Sequence, residues 1–188
     1  MCIISEYDIT SIGDGKFICA SRENPICPFC GRPLKYRDRR WRIMLRYGRK
    51  ATHVQLRRLY CGHCRRLHLE LPDCLVPRKH YALEVIENVV DGVSTPDDET
   101  TESYPVERTM ERWKAWIAFN TDQINGWLKS IGYRFLGIGE AIFSTSVSLL
   151  ATLRKDGAGW LATCERAIYN VGGSLLVKPL LAVAPALV

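Results

Sequence analysis

Four cysteines stand in two close pairs, Cys27-Pro28-Phe29-Cys30 and Cys61-Gly62-His63-Cys64. A C-x-x-C turn offers two thiolates from one tight loop, and two such turns offer the four soft ligands that a tetrahedral zinc ion takes. The spacing therefore predicts one zinc ion held by Cys27, Cys30, Cys61 and Cys64. Four thiolates close the coordination sphere, and no nucleophile stands beside a general base, so the ion is expected to be structural and no residue is assigned to catalysis. The competing readings are buried free thiols and a redox pair. A redox pair sits alone at a helix start, whereas here two pairs lie among strand-like segments. Cys2, Cys19, Cys74 and Cys164 are isolated and are expected to serve as small apolar filler. His53, His63 and His68 are expected at the surface or in packing.

A second chemistry is cationic. Between residues 27 and 80, fifteen basic side chains stand against three acidic ones, a net of +12, while the rest of the chain has 11 basic and 17 acidic residues and nets −6. Such a surplus repels itself unless a polyanion is present. Arg37, Arg39, Arg40, Arg42, Arg46, Arg57, Arg58, Arg65 and Arg66 are the expected phosphate contacts, since the planar guanidinium pairs phosphate bidentately. Tyr36, Trp41, Tyr47 and Tyr60 are interleaved with them, a pattern that suits base stacking, although Trp41 and Tyr60 are expected in the core. Nucleic acid is the expected partner, DNA ahead of RNA.

These groups need a small sheet to position them. Residues 40–47 and 52–60 read as two strands around Tyr47-Gly48-Arg49-Lys50, and 65–71 reads as a third, stopped by Pro72. The thirty residues between Cys30 and Cys61 are then a hairpin that lets the two cysteine turns meet. Residues 1–25 read as a leader able to add an edge strand, with a turn at Asp14-Gly15. After Pro77 the period becomes helical over residues 81–90. An acidic stretch at 91–101 precedes a second helix capped by Ser103, with Val106, Met110, Trp113 and Ile117 as its apolar stripe. Arg108 and Arg112 would lie on the polar side of that helix, as in a helix-turn-helix, although the connection is long for one. Further helices are expected over 121–131, 140–153 and 159–169. The expected class is α+β, with a leader at 1–25, a zinc ribbon at 26–78, a helical segment with a candidate helix-turn-helix at 79–120 and a C-terminal helical region at 121–188.

Several classes are disfavoured. Gly137-Ile138-Gly139-Glu140 lacks the spacing of a phosphate loop, and no acidic triad fits a metal-dependent nuclease. No secretory signal or membrane span is visible, so a cytoplasmic protein without a membrane partner is expected.

The runs Cys27-Pro-Phe-Cys-Gly, Arg-Arg-Leu-Tyr-Cys-Gly-His-Cys-Arg-Arg-Leu-His (57–68) and Leu-Glu-Leu-Pro-Asp-Cys-Leu-Val-Pro-Arg-Lys-His-Tyr (69–81) resemble an uncharacterised family of small bacterial zinc-ribbon proteins. That family is associated with clostridial and other Firmicute genomes and with transposon neighbourhoods. The same runs, with Arg-Thr-Met-Glu-Arg-Trp-Lys (108–114), are similar to the zinc-ribbon and helix-turn-helix front ends of insertion-sequence transposases. The resemblance covers about residues 25–120 and implies a DNA-binding accessory or regulatory role; a transposase's catalytic carboxylates are not matched. The alternatives are a protein-assembly module whose C-terminal helices bind a partner or a second copy, and an RNA-binding protein.

Overall fold

The computed structural model describes residues 1–46, 51–98, 105–144 and 146–175. It is a mixed α and β architecture, with six strands and then five helices among the described residues, in chain order. The strands are β1 (Cys2–Ile4), β2 (Tyr7–Ser11), β3 (Lys16–Ser21), β4 (Lys35–Met44), β5 (Thr52–Cys61) and β6 (Arg66–Pro72).

Strand β5 organises the sheet. One of its edges is taken along its length by β4, antiparallel from Lys35↔Tyr60 to Met44↔Thr52. Its other edge is divided: β3 runs parallel to it at Lys16↔His53 to Ile18↔Gln55, and β6 runs antiparallel at Arg58↔Leu69 to Cys61↔Arg66. β2 closes on β3 as a hairpin, and β1 lies parallel to β6. Residues 1–25, read as a leader able to add an edge strand, hold β1, β2 and β3. Their runs are too short to show a period, and they are strands because β5 and β6 leave edges for them. The turn expected at 47–50 lies outside the described residues, as do the Ser103 cap and the final segment 176–188.

The alternation along β5 breaks once. Val54 and Leu56 are buried on the face that meets the helices, whereas Leu59 and Cys61 are buried on the other face. Opposite the break, β4 carries a bulge: Tyr36 pairs Leu59 and Asp38 pairs Arg58, leaving Arg37 as the extra residue.

The helices are α1 (Leu83–Val90), α2 (Glu107–Leu136), α3 (Ala141–Ser144), α4 (Leu149–Lys155) and α5 (Trp160–Asn170). α1 buries Leu83, Val85, Ile86 and Val89, and α2 buries Met110, Trp113, Trp116, Ile117 and Ile124 along one stripe. Val106 is 62% exposed, because the helix starts at Glu107 and Val106 is its extended N-cap. α2 runs through residue 120, where a boundary between helical segments is expected. It ends at Gly137, whose left-handed φ of 67° no branched residue would adopt cheaply. α1 and α2 are joined by residues 91–106, far longer than the three- or four-residue turn of a helix-turn-helix.

α5 begins at Gly159 without a capping side chain of its own. Buried Glu87 of α1 supplies the cap, accepting the N–H groups of Gly159 at 2.5 Å and Leu161 at 2.9 Å. At the far end of α5, Asn170 treats β1 as a neighbouring strand would. Its Oδ1 accepts the Ile3 N–H at 2.8 Å and its Nδ2 donates to the Ile3 carbonyl at 2.8 Å. One core results, with Leu71, Val54, Leu56 and Met44 from the sheet packed with Ile86, Met110, Trp113, Leu161 and Ile168.

Candidate metal centre and the basic sheet

The two cysteine turns meet. Cys27 Sγ lies 3.4 Å from Cys64 Sγ, Cys30 Sγ is 3.5 Å from Cys61 Sγ and 3.9 Å from Cys64 Sγ, and all four sulfurs fall within 4.8 Å of one another. Metal–sulfur bonds of about 2.3 Å at tetrahedral angles separate the sulfurs by about 3.8 Å, so the cage has the size a divalent ion requires. The donor set and the geometry therefore fit a metal ion.

The turns share a backbone device. In the first, Gly31 follows the second cysteine at φ 67°; in the second, the equivalent residue is Arg65, at φ 55°. The first turn is tied by Cys27 N–H to the Arg32 carbonyl and Gly31 N–H to the Cys27 carbonyl, both at 2.8 Å. In the second, the backbone N–H of Cys64 does most to hold the Cys61 thiol down to about 6. Burial, then the adjacent thiols, push Cys64 up to about 12. A divalent cation displaces the proton that such crowded sulfurs retain. Of the isolated cysteines, Cys2, Cys19 and Cys164 are buried, and burial raises each thiol to about 12, whereas Cys74 is half-buried.

His68 is part of the centre and was not legible as such. It is 1% exposed, its Nε2 stands 3.6 Å from Cys27 Sγ, and its Nδ1 stands 3.2 Å from the Met1 amino nitrogen. The tautomer protonated at Nε2 satisfies both contacts, donating to sulfur and accepting from nitrogen. Burial lowers its pKa to about 4, which keeps the ring neutral. The available signal was register: Arg66 pairs Cys61 and His68 pairs Leu59, placing the imidazole on the ligand face. Arg66 also lies over the Phe29 ring at 4.1 Å, linking the second turn to the first. Gly172, after α5, closes on the first turn, where an added Cβ would stand 3.3 Å from the Pro28 carbonyl oxygen.

The arginines divide into two groups. Three are engaged by the fold. Arg42 turns inward, where its Nη2 donates to the carbonyls of Val76 and Lys79 and burial lowers its pKa. Arg57 donates through Nε and Nη2 to the two oxygens of Glu70, both at 2.6 Å, and Glu70 is 2% exposed. Arg58 grips Asp38 through two bonds of 2.5 Å, which hold the Asp38 carboxyl below its usual range. These three are corrections to the expected phosphate set, because each is bound to an acceptor of the fold. The second group faces outward: Arg37, Arg39, Arg40 and Arg46 on and after β4, Arg65 and Arg66 at the second turn, and Arg108 and Arg112 in the first turns of α2. Among these, Arg37 approaches Asp38 at 3.7 Å and Arg39 donates to Gln55 at 3.0 Å, so both remain at the surface. Trp41, expected in the core, is 42% exposed, because it lies on the face of the outer strand β4 opposite the one that meets the helices. Tyr60 is half-buried.

No helix among the described residues is long and apolar enough to cross a membrane. No curated protein and no solved structure matches the chain. Residues 27–113 match a family model described as a domain of unknown function (DUF6431), a stretch that opens on the first cysteine of the cage and closes on Trp113 in α2.

Proposed function

We propose that this chain is a zinc-stabilised nucleic-acid-binding protein, DNA ahead of RNA, acting as a mobile-element accessory factor or regulator. The observation that carries the reading is the placement of outward arginines around a four-thiolate cage. The cage joins the start of β4 to the end of β5; Arg37, Arg39 and Arg40 stand on β4, and Arg65 and Arg66 follow the second cysteine turn into β6, with only Asp38 among them. Zinc supplies folding energy there and no chemistry, since four thiolates leave it no open position. The arginines hold phosphates, and Arg46, Arg108 and Arg112 extend the cationic surface. The long connection between α1 and α2 argues for backbone contact by Arg108 and Arg112 rather than groove readout.

The test is a gel-shift titration of the zinc-loaded full chain across a salt series. Five or six phosphate contacts predict a slope of log affinity against log salt near −5 on duplex DNA and about −4 on a single strand. A salt-independent interaction overturns the reading. A second reading, a protein-assembly module, is favoured by one feature. The end of α2 and the segment after it expose Phe135 (58%), Leu136 (72%) and Phe143 (51%), an apolar group at the surface. Sedimentation of the zinc-loaded chain, with and without Leu136→Glu, measures whether that group associates.

A further inference from the structure

Among the described residues, the sheet has one face against the helices and one that is open beside β4. Register sorts β4 between them. Arg40, Arg42 and Met44 pair Leu56, Val54 and Thr52 on the helix side, whereas Arg39, Trp41 and Ile43 pair Arg57, Gln55 and His53 on the other. Past the bulge, Tyr36 pairs Leu59 and so joins the second set. On that open face Tyr36 is 59% exposed, Trp41 42% and Ile43 37%, and none of the three belongs to the core. Two aromatic rings on one outer strand, with a guanidinium between them, offer a flat surface that a planar partner can cover.

Charge selects the occupant. Arg39 lies between the rings on the same face, and Arg37 and Arg40 flank it on the strand. Glu70, the acid of the neighbouring β6, is already neutralised by Arg57. A flat aromatic face edged by cations is complementary to unpaired nucleobases on a phosphate backbone. Any base offers a π-face to a ring, and arginine can take a phosphate or a base plane. Duplex nucleic acid keeps its π-faces inside the stack and has no use for Trp41. The six residues from Tyr36 to Trp41 span about 16 Å of strand, room for a few splayed nucleotides with Arg39 between the rings. We infer that the open face of β4, with Tyr36 and Trp41 as stacking platforms and Arg39 as the central cation, binds single-stranded nucleic acid. This inference rests on the nucleic-acid reading and narrows it to unpaired strands.

The experiment is fluorescence anisotropy of the zinc-loaded full chain with a labelled ten-nucleotide single strand, as DNA and as RNA, and with the matching hairpin duplex. Single strands of one or both sugars are expected to bind more tightly than the duplex. Trp41→Ala should weaken that binding by about tenfold or more, Tyr36→Ala by a similar factor, and Trp41→Phe should restore most of it. Circular dichroism and zinc content of each variant verify that the sheet is intact; an aromatic variant that loses zinc is replaced by Trp41→Phe compared with Trp41→Leu. If Trp41→Ala and Tyr36→Ala bind as the parent does while Arg39→Ala and Arg40→Ala weaken binding, the platform is overturned and the cationic reading survives. Tighter binding to the duplex also overturns the platform alone. If no nucleic acid binds in any arm, the platform and the reading beneath it fall together.

Discussion

In the strand-rich part of the molecule Glu70 is 2% exposed and accepts two bonds of 2.6 Å from Arg57. In the helical part Glu165 is 1% exposed, and neither of its carboxylate oxygens has a hydrogen-bond partner. Arg42 and Lys79 favour the charged form of Glu165 only from a distance, so burial dominates and lifts its pKa well above the ordinary carboxylate range. The same residue type is thus paired with a guanidinium in one region and pushed towards its neutral form in the other. The sheet, stitched by a four-cysteine cage and arginine pairs, depends on a few strong contacts; the helices, packed by apolar stripes, tolerate an unmet polar group within a larger core.

The contrast can be broken most severely at the cage. Cys61→Ser removes a ligand, and zinc affinity should fall by more than the about 10–100-fold that losing an outer-shell partner costs. The sheet should then lose its structure while part of the helical signal persists; zinc titration followed by far-ultraviolet circular dichroism reads both. If the variant binds zinc like the parent, the four-thiolate centre is wrong. Next comes Arg57→Ala, which strands a buried carboxylate and should lower unfolding free energy by about 3–5 kcal/mol, measured by urea titration. A cost under about 1 kcal/mol would show that Glu70 finds another donor.

Glu165→Leu should have the opposite sign, stabilising the fold by about 1–4 kcal/mol at neutral pH. Linkage sharpens this. The folded pKa of Glu165 is raised, so between the unfolded and folded values the native state holds more protons. Its contribution to stability is therefore intact at acid pH and declines as pH rises above the ordinary carboxylate value. The leucine variant should flatten that slope across pH 5–8, whereas Arg57→Ala should not. The smallest effect is expected at Arg65, a non-glycine at φ 55° where the matching position of the first turn is Gly31. Arg65→Gly should leave zinc binding unchanged and alter stability by no more than about 1 kcal/mol, the steric relief being offset by chain entropy.

The cage was legible from the sequence because its chemistry is local: two cysteines per turn announce themselves by spacing. The helical stripe at Met110, Trp113 and Ile117 was legible for the same reason, being a period written within a few turns. What escaped was set by distant partners. Residues 16–18 join β5 only through a parallel pairing, and Glu87 caps a helix more than seventy residues away. Charge counting counted Arg42, Arg57 and Arg58 as free, since it does not see that carbonyls and carboxylates already hold them. Trp41 was expected inside because strand alternation gives the two faces of a sheet but not which one the helices cover.

The clasp between Asn170 and Ile3 ties together residues 167 positions apart. Without α5, the outer side of β1 would present bare donors and acceptors, the template on which one chain adds to another. The stretch from 27 to 113 lacks both sides of that clasp, as well as β2 and β3. Produced alone, it should be a sticky fragment, prone to joining edge to edge with its copies, and α5, made long after β1, is what makes that strand safe in solution.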